Sequence, residues 1–97
     1  MNYWFHPGAE HEHLEAIKFY ESRQAGLGAA YFAEFETLMT RVARMPEIYR
    51  IDREPNIRVV SLTKFPYRII FRESAVGVQV LAVSHKKRRP DYWLGRI

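Results

Sequence analysis

The apolar positions of this chain change their period part-way along it. Between residues 9 and 22, Ala9, His13, Ala16, Ile17 and Tyr20 recur at three- and four-residue spacing, while Glu10, Glu12, Glu15, Lys18 and Glu21 fill the remaining, wet face. That pattern predicts an amphipathic helix. Gln24-Ala25-Gly26-Leu27-Gly28 interrupts it, because glycine suits a helix end and disfavours a helix interior. A second helix follows on Phe32, Phe35, Leu38, Met39, Val42 and Met45 and is stopped by Pro46. A connection this short predicts antiparallel neighbours.

From Ile57 the period falls to two. Ile57, Val59 and Ser61 share one face and Arg58, Val60 and Leu62 the other; further strands are predicted over Phe65 to Phe71 and Val76 to Ser84, with the turn between them at Glu73-Ser74-Ala75 and Gly77. Residues 2–6 predict a short first strand ended by Pro7-Gly8. Strict alternation puts Val78, Val80 and Ala82 on one side of the last strand and Leu81 and Val83 on the other, so both sides are apolar. The predicted fold is α+β, two-layered, in the order β-α-α-β-β-β, with an N-terminal strand and a helical hairpin packed on a small, mainly antiparallel twisted sheet. Two helices cover only one face. The reverse face then needs the C-terminal tail from His85 to Ile97, with Tyr92, Trp93, Leu94 and Ile97, or a partner chain.

A chain of 97 residues supports one hydrophobic core, and a single domain over 1–97 is expected. Cysteine is absent, no apolar run approaches a membrane span, and the first residues lack a basic leader followed by an apolar stretch, so a cytoplasmic protein without membrane contact is expected. Charge is polarised. Residues 1–49 carry four basic and seven acidic side chains, residues 50–97 eleven basic and four acidic ones. Such a field favours an anionic partner on the C-terminal side.

The densest cluster of candidate chemistry is Ser84-His85-Lys86-Lys87-Arg88-Arg89-Pro90-Asp91-Tyr92-Trp93. Lys86, Arg88 and Arg89 are candidates to neutralise phosphates or carboxylates, or else form a solvated loop. Tyr92 and Trp93 can stack on bases, or Trp93 can seal the core beneath that loop. Arg68 and Arg72 share a face opposite to Phe65, Tyr67, Ile69 and Phe71, and Arg58 on a neighbouring strand is a candidate to join them in a cationic floor. Metal-free cleavage of RNA by its own 2′-hydroxyl needs a base, an acid and cations at the phosphate; His85, Tyr92 and Arg68 are the candidates for those roles. His6, His11 and His13 lack a metal-ligand spacing, and no metal site or cofactor is expected.

Phe5-His6-Pro7, the Ala16 to Glu21 segment, Leu27-Gly28, Arg58-Val59-Val60-Ser61-Leu62, Phe65-Pro66-Tyr67-Arg68, Ala82-Val83-Ser84-His85 and Arg88-Arg89-Pro90-Asp91-Tyr92-Trp93 form an ordered set. Together they resemble the RelE/ParE toxin superfamily, in particular its ParE-like branch of plasmid stabilisation proteins in type II toxin–antitoxin systems. The resemblance implies a toxin neutralised by a cognate antitoxin, in a toxin–antitoxin hetero-oligomer, with Arg58, Arg68, Arg72, Lys86, Arg88, Arg89 and Trp93 in the region facing target or antitoxin. It further implies either inhibition of DNA gyrase by protein binding or, as in RelE-like members, ribosome-dependent cleavage of mRNA. Arg50-Ile51-Asp52-Arg53-Glu54 holds no lysine pair of the ribonuclease kind, which weighs against cleavage. A non-toxic nucleic-acid- or protein-binding domain is the remaining alternative.

Overall fold

Proline decides where the first strand ends. In the computed structural model, which describes residues 2–97, β1 (Asn2–Phe5) gives way to α1 (Pro7–Arg23) with proline in the first helical turn, where its missing N–H costs nothing. His6 caps the helix, its Nδ1 accepting the Gly8 N–H at 3.0 Å. Gly26 (φ 89°) adopts the left-handed backbone between the helices, and α2 (Leu27–Arg44) runs back along α1. At Gly28 the two helices come close: a Cβ there would lie 2.8 Å from the Ile17 carbonyl oxygen.

After a single 3₁₀ turn at Pro46–Ile48 come β2 (Arg50–Arg53), β3 (Ile57–Ser61), β4 (Tyr67–Ser74) and β5 (Gly77–His85), and a second 3₁₀ turn at Leu94–Arg96 ends the chain. The five strands form one sheet in the order β1-β5-β4-β3-β2, with β1 parallel to β5 and the other pairs antiparallel. The architecture is the expected small α+β one. The sheet has one strand more than the hydrophobic pattern predicts. Strand β2 reads Arg-Ile-Asp-Arg, buries none of its residues and bulges between Ile51 and Arg53. An edge strand with one half-buried apolar residue leaves no alternation to read.

Side-chain direction also departs from strict alternation in β5. Ile70 pairs with Ala82 while Phe71 pairs with Val80, so Leu81 is the extra residue of a bulge. Past that point the faces exchange. Val83 joins Val78 and Val80 under the helices, and Ala82 turns with Leu81 to the reverse face, against the expected grouping of Val78, Val80 and Ala82. In α2 the buried stripe is Tyr31, Phe35, Met39, Val42 and Ala43; Phe32 and Met45, expected in the core, are 45% and 47% exposed. Spacing alone does not choose between Tyr31 and Phe32. The sheet selects Tyr31, whose ring meets those of Phe65 and Tyr67 edge-on.

The reverse face is closed by the chain's own tail. Trp93, only 3% exposed, packs with Ile57, Val59, Ile70, Leu81 and Ala82, and Tyr92 lies beside it. The tail, rather than a partner, is the second layer over those residues.

His13, drawn as a helix-face residue in the sequence, is buried among rings. It lies 4.2 Å from Phe35 and 5.1 Å from Phe5 between centroids, and its Nδ1 meets the Tyr31 hydroxyl at 3.2 Å. Burial holds its imidazole below the ordinary pKa of 6.5, against a weaker opposite pull from the Glu36 carboxylate. The unfolded chain therefore takes up a proton that the fold resists, and stability falls as pH drops through and below that ordinary value. Denaturant unfolding between roughly pH 7 and pH 5 is expected to show this loss, and His13→Phe is expected to flatten it.

Candidate interaction surface

Strand β5 has a partner on one edge only as far as β1 reaches. The last bond of that ladder is His6 N–H to the Val80 carbonyl, at 2.8 Å. Beyond it, side chains stand in for a strand. Glu12 Oε1 accepts the Val83 N–H at 2.9 Å, and Arg96 Nη1 donates to the Leu81 carbonyl at 2.9 Å. The same Glu12 carboxylate receives both Arg96 terminal nitrogens at 3.0 Å and the Tyr92 hydroxyl at 2.7 Å, with Arg88 Nη1 at 3.7 Å. Expected on the wet face of α1, Glu12 instead has a side chain only 11% exposed and is the point where helix, bulged strand and tail are joined. Its signal in the sequence is faint: it neighbours His13 at the border of the apolar stripe, and its main cation lies 84 positions away.

The basic turn is built on that joint. Arg88 N–H donates to the His85 carbonyl at 2.9 Å, Lys87 N–H to His85 Nδ1 at 3.0 Å, and Lys86 N–H to the Pro66 carbonyl at 2.9 Å. The backbone is thereby fastened, and the side chains of Lys86, Lys87 and Arg89 point outward with no ion-pair partner among the described residues. Arg88 is held differently: its guanidinium lies 3.9 Å over the Tyr92 ring.

Arg68 and Arg72 share the reverse face as expected. Arg72 Nε donates to Gln79 at 3.1 Å, whereas Arg68 sits opposite Ser84 and lines a cleft of about 200 Å³ with Arg50, Arg88 and Trp93. Arg58 does not join them. Strand parity turns it to the helix side, where its Nε donates to Glu73 at 2.9 Å and its Nη1 to the carbonyls of Glu47 and Tyr49 at 3.1 and 2.7 Å. With a side chain 15% exposed, it ties the link after α2 to the sheet and contributes nothing to the cationic floor. His85 also faces the helix side, edge-on to Tyr67 at 5.2 Å, in a separate cleft of about 340 Å³ beside Glu12, Glu15 and Phe19. Arg88 borders both clefts.

The Tyr92 hydroxyl is committed to Glu12. Burial, then that hydrogen bond and the carboxylate charge, raise its pKa from 10 to about 12. A larger, mainly apolar concavity lies elsewhere, about 790 Å³ between α2 and the β3–β4 turn, walled by Tyr20, Leu27, Ala30, Ala33, Phe65 and Pro66. Composition alone does not reveal it, because its walls come from three separate parts of the chain. No group of acidic and histidine side chains among the described residues is arranged to hold a metal ion, and no described helix is long and apolar enough to cross a membrane.

A mixed sheet carrying a helical hairpin on one face and a fastened basic turn at one end defines a small α+β architecture. A solved structure described as the chromosomal ParDE TA system from P. aeruginosa is similar to this chain at a TM-score of 0.74 and 14% identity, covering 88% of this chain and 95% of that one. Nothing matches among curated proteins. The family model for the ParE toxin of the type II toxin–antitoxin system, parDE, matches residues 3–90. The chain belongs to that family of toxins.

Replacing Glu12 by Ala is expected to cost about 2–4 kcal/mol in denaturant unfolding, because Arg96 and the Val83 N–H lose their partner in a largely buried setting. Glu12→Gln is expected to lower the Tyr92 pKa toward the ordinary value of 10, read as an ultraviolet tyrosinate titration against a Tyr92→Phe blank. In the native chain the unfolded phenol ionises near 10 and the folded one near about 12, so the fold keeps a proton the unfolded chain has lost. This stabilisation is complete below the lower value and drains away as pH rises across the interval.

Proposed function

We propose that this toxin acts by binding a protein, that DNA gyrase is the protein it inhibits, and that a cognate antitoxin silences it by covering the same region. The observation that carries this reading is that Arg68, His85 and Tyr92, the three groups expected to act together in RNA cleavage, do not meet around one cleft, although Arg88 reaches both clefts. Arg68 borders the reverse-face cleft, His85 the cleft on the helix side, and the Tyr92 hydroxyl is bound to Glu12 with its pKa raised to about 12. Metal-free RNA cleavage needs acid, base and cation around one phosphate, with pKa values near the working pH. A phenol held protonated and already donating to a carboxylate is poorly suited to exchange that proton.

What remains is a rigid base with outward cations. Lys86, Lys87 and Arg89 on the fastened turn, next to Arg88 and Arg68, suit an acidic protein surface, and cations of this kind raise association rates and set orientation. The antitoxin has two complementary features to use. Its apolar side chains fit the concavity formed by Tyr20, Leu27, Ala30 and Phe65, beside Lys64, and its carboxylates pair with the basic turn. Docking on the reverse sheet face is the less suitable arrangement, since Trp93 already occupies it.

Purified toxin is expected to inhibit supercoiling by gyrase in a concentration-dependent manner while leaving ribosome-bound mRNA intact. Changing Lys86, Lys87 and Arg89 together to Gln is expected to weaken inhibition roughly tenfold or more, through slower association. Codon-dependent cuts in translated RNA, with unaffected supercoiling, would reverse the assignment in favour of the RelE-like alternative.

A further inference from the structure

A turn fastened by an imidazole nitrogen holds in one protonation state of that ring only. His85 is the last residue of β5, half-buried, and the basic turn starts from it. Its carbonyl accepts the Arg88 N–H at 2.9 Å, and its ring Nδ1 accepts the Lys87 N–H at 3.0 Å. The second bond is the one that an Asn or Asp side chain makes to the backbone two residues ahead when it opens a turn. In this chain a ring of the type that gains or loses its charge between about pH 5 and pH 8 takes that place.

An imidazole whose Nδ1 accepts carries its hydrogen on Nε2. Protonation puts a hydrogen on both nitrogens, so the Lys87 N–H then faces a second donor and loses its acceptor. The charged groups around the ring come from three elements. The turn supplies Lys86, Lys87 and Arg88, of the same sign as a protonated ring, with Arg88 bordering the same cleft. Strand β4 supplies Tyr67, edge-on at 5.2 Å and kept neutral by burial, which raises its pKa to about 12. Helix α1 supplies His11, Glu12 and Glu15. Glu12 is committed to Arg96, Tyr92 and the Val83 N–H. Glu15, paired only loosely with Lys18 at 3.8 Å, is the carboxylate open to a charged ring. The neutral ring has its partner in the turn, and the charged ring has one across the cleft.

We infer that His85 is a proton-operated catch for the basic turn: with the ring neutral, residues 86–89 are ordered and hold Lys86, Lys87 and Arg89 outward in a fixed array, and with the ring protonated they are released. The fastened turn excludes the proton and the released turn accepts it, so acid draws the population toward release. Burial of His13 makes the whole fold sensitive to acid, whereas this device acts on the turn while the fold stands. The inference rests on the turn's own bonds and holds whichever macromolecule its cations meet.

The test follows the full-length, ¹⁵N-labelled toxin by NMR from pH 7.5 down to pH 5.5, over the range where thermal melts show the fold intact. At the upper end the imidazole nitrogen shifts of His85 are expected to report the Nε2–H tautomer. As the ring is protonated, exchange protection of the Lys87 amide, taken relative to an unstructured chain, is expected to fall roughly tenfold. The amides of residues 86–89 become mobile at the same midpoint, while the Val83 amide stays protected. His85→Asn places a non-titrating acceptor where Nδ1 stands, and its turn is expected to remain ordered throughout. His85→Gln reaches the Nε2 position instead, and its turn is expected to be mobile at both ends of the range. His11→Gln, altered in the same cleft, is expected to behave like the native chain. An Nδ1–H tautomer at pH 7.5, or a turn still ordered once His85 is protonated, overturns the inference, and both are read in the native chain even if a variant fails to fold. The same response surviving in folded His85→Asn also overturns it, by assigning the effect to His6 or His13.

Discussion

A strand buried on both faces needs two covers and two satisfied edges, and β5 is that strand. Its faces are met by the helical hairpin and by Trp93. One edge is paired to β4 throughout, but the other loses β1 where Pro7 forces the chain into α1. Unsatisfied amide groups there would cost as much as a lost hydrogen bond each. Glu12 and Arg96 take over the Val83 N–H and the Leu81 carbonyl, and in doing so they bind each other, Tyr92 and the approach of Arg88. The tail is thus fastened by the same carboxylate that completes the sheet.

That economy links stability to surface chemistry. The tail can cover the reverse face only if it is anchored, and its anchoring orients Arg88 over Tyr92 and closes one side of the cleft around Arg68. The bulge at Leu81 contributes to the same end. By exchanging the faces of β5 it sends Ala82 and Ser84 to the reverse side, where a small side chain admits Trp93 and Ser84 lines the cleft beside Arg68. Meanwhile Arg58, of the same residue type and only ten positions from Arg68, is consumed in holding the link after α2. Strand parity separates a structural arginine from a surface one.

Much of the site was legible as composition and little as geometry. The shared face of Arg68 and Arg72 follows from an even interval within one strand, and the basic turn is visible as a run of cations. The exclusion of Arg58 depends on which face meets the helices at its own strand, and the role of Glu12 on contacts to residues about 70 to 84 positions away. Arg50 belongs to a strand too short and polar to announce itself. Neither intervals nor charge counts carry that information.

By itself the sequence determined the elements whose signal is local: both helices and their glycine-rich break, the proline stops, the three longer strands of the C-terminal half, the polarised charge, and the family to which the ordered motifs point. Periodicity records which side of an element avoids water, and that is enough to assemble two layers. The tertiary structure decided what depends on register and long-range pairing: the edge strand β2, the reversal of β5 at Leu81, the choice of Tyr31 over Phe32 for the core, the tail as the second cover, and the division of His85, Arg68 and Tyr92 among separate surroundings. A one-residue bulge turns every later side chain to the opposite face, and no local pattern foretells it.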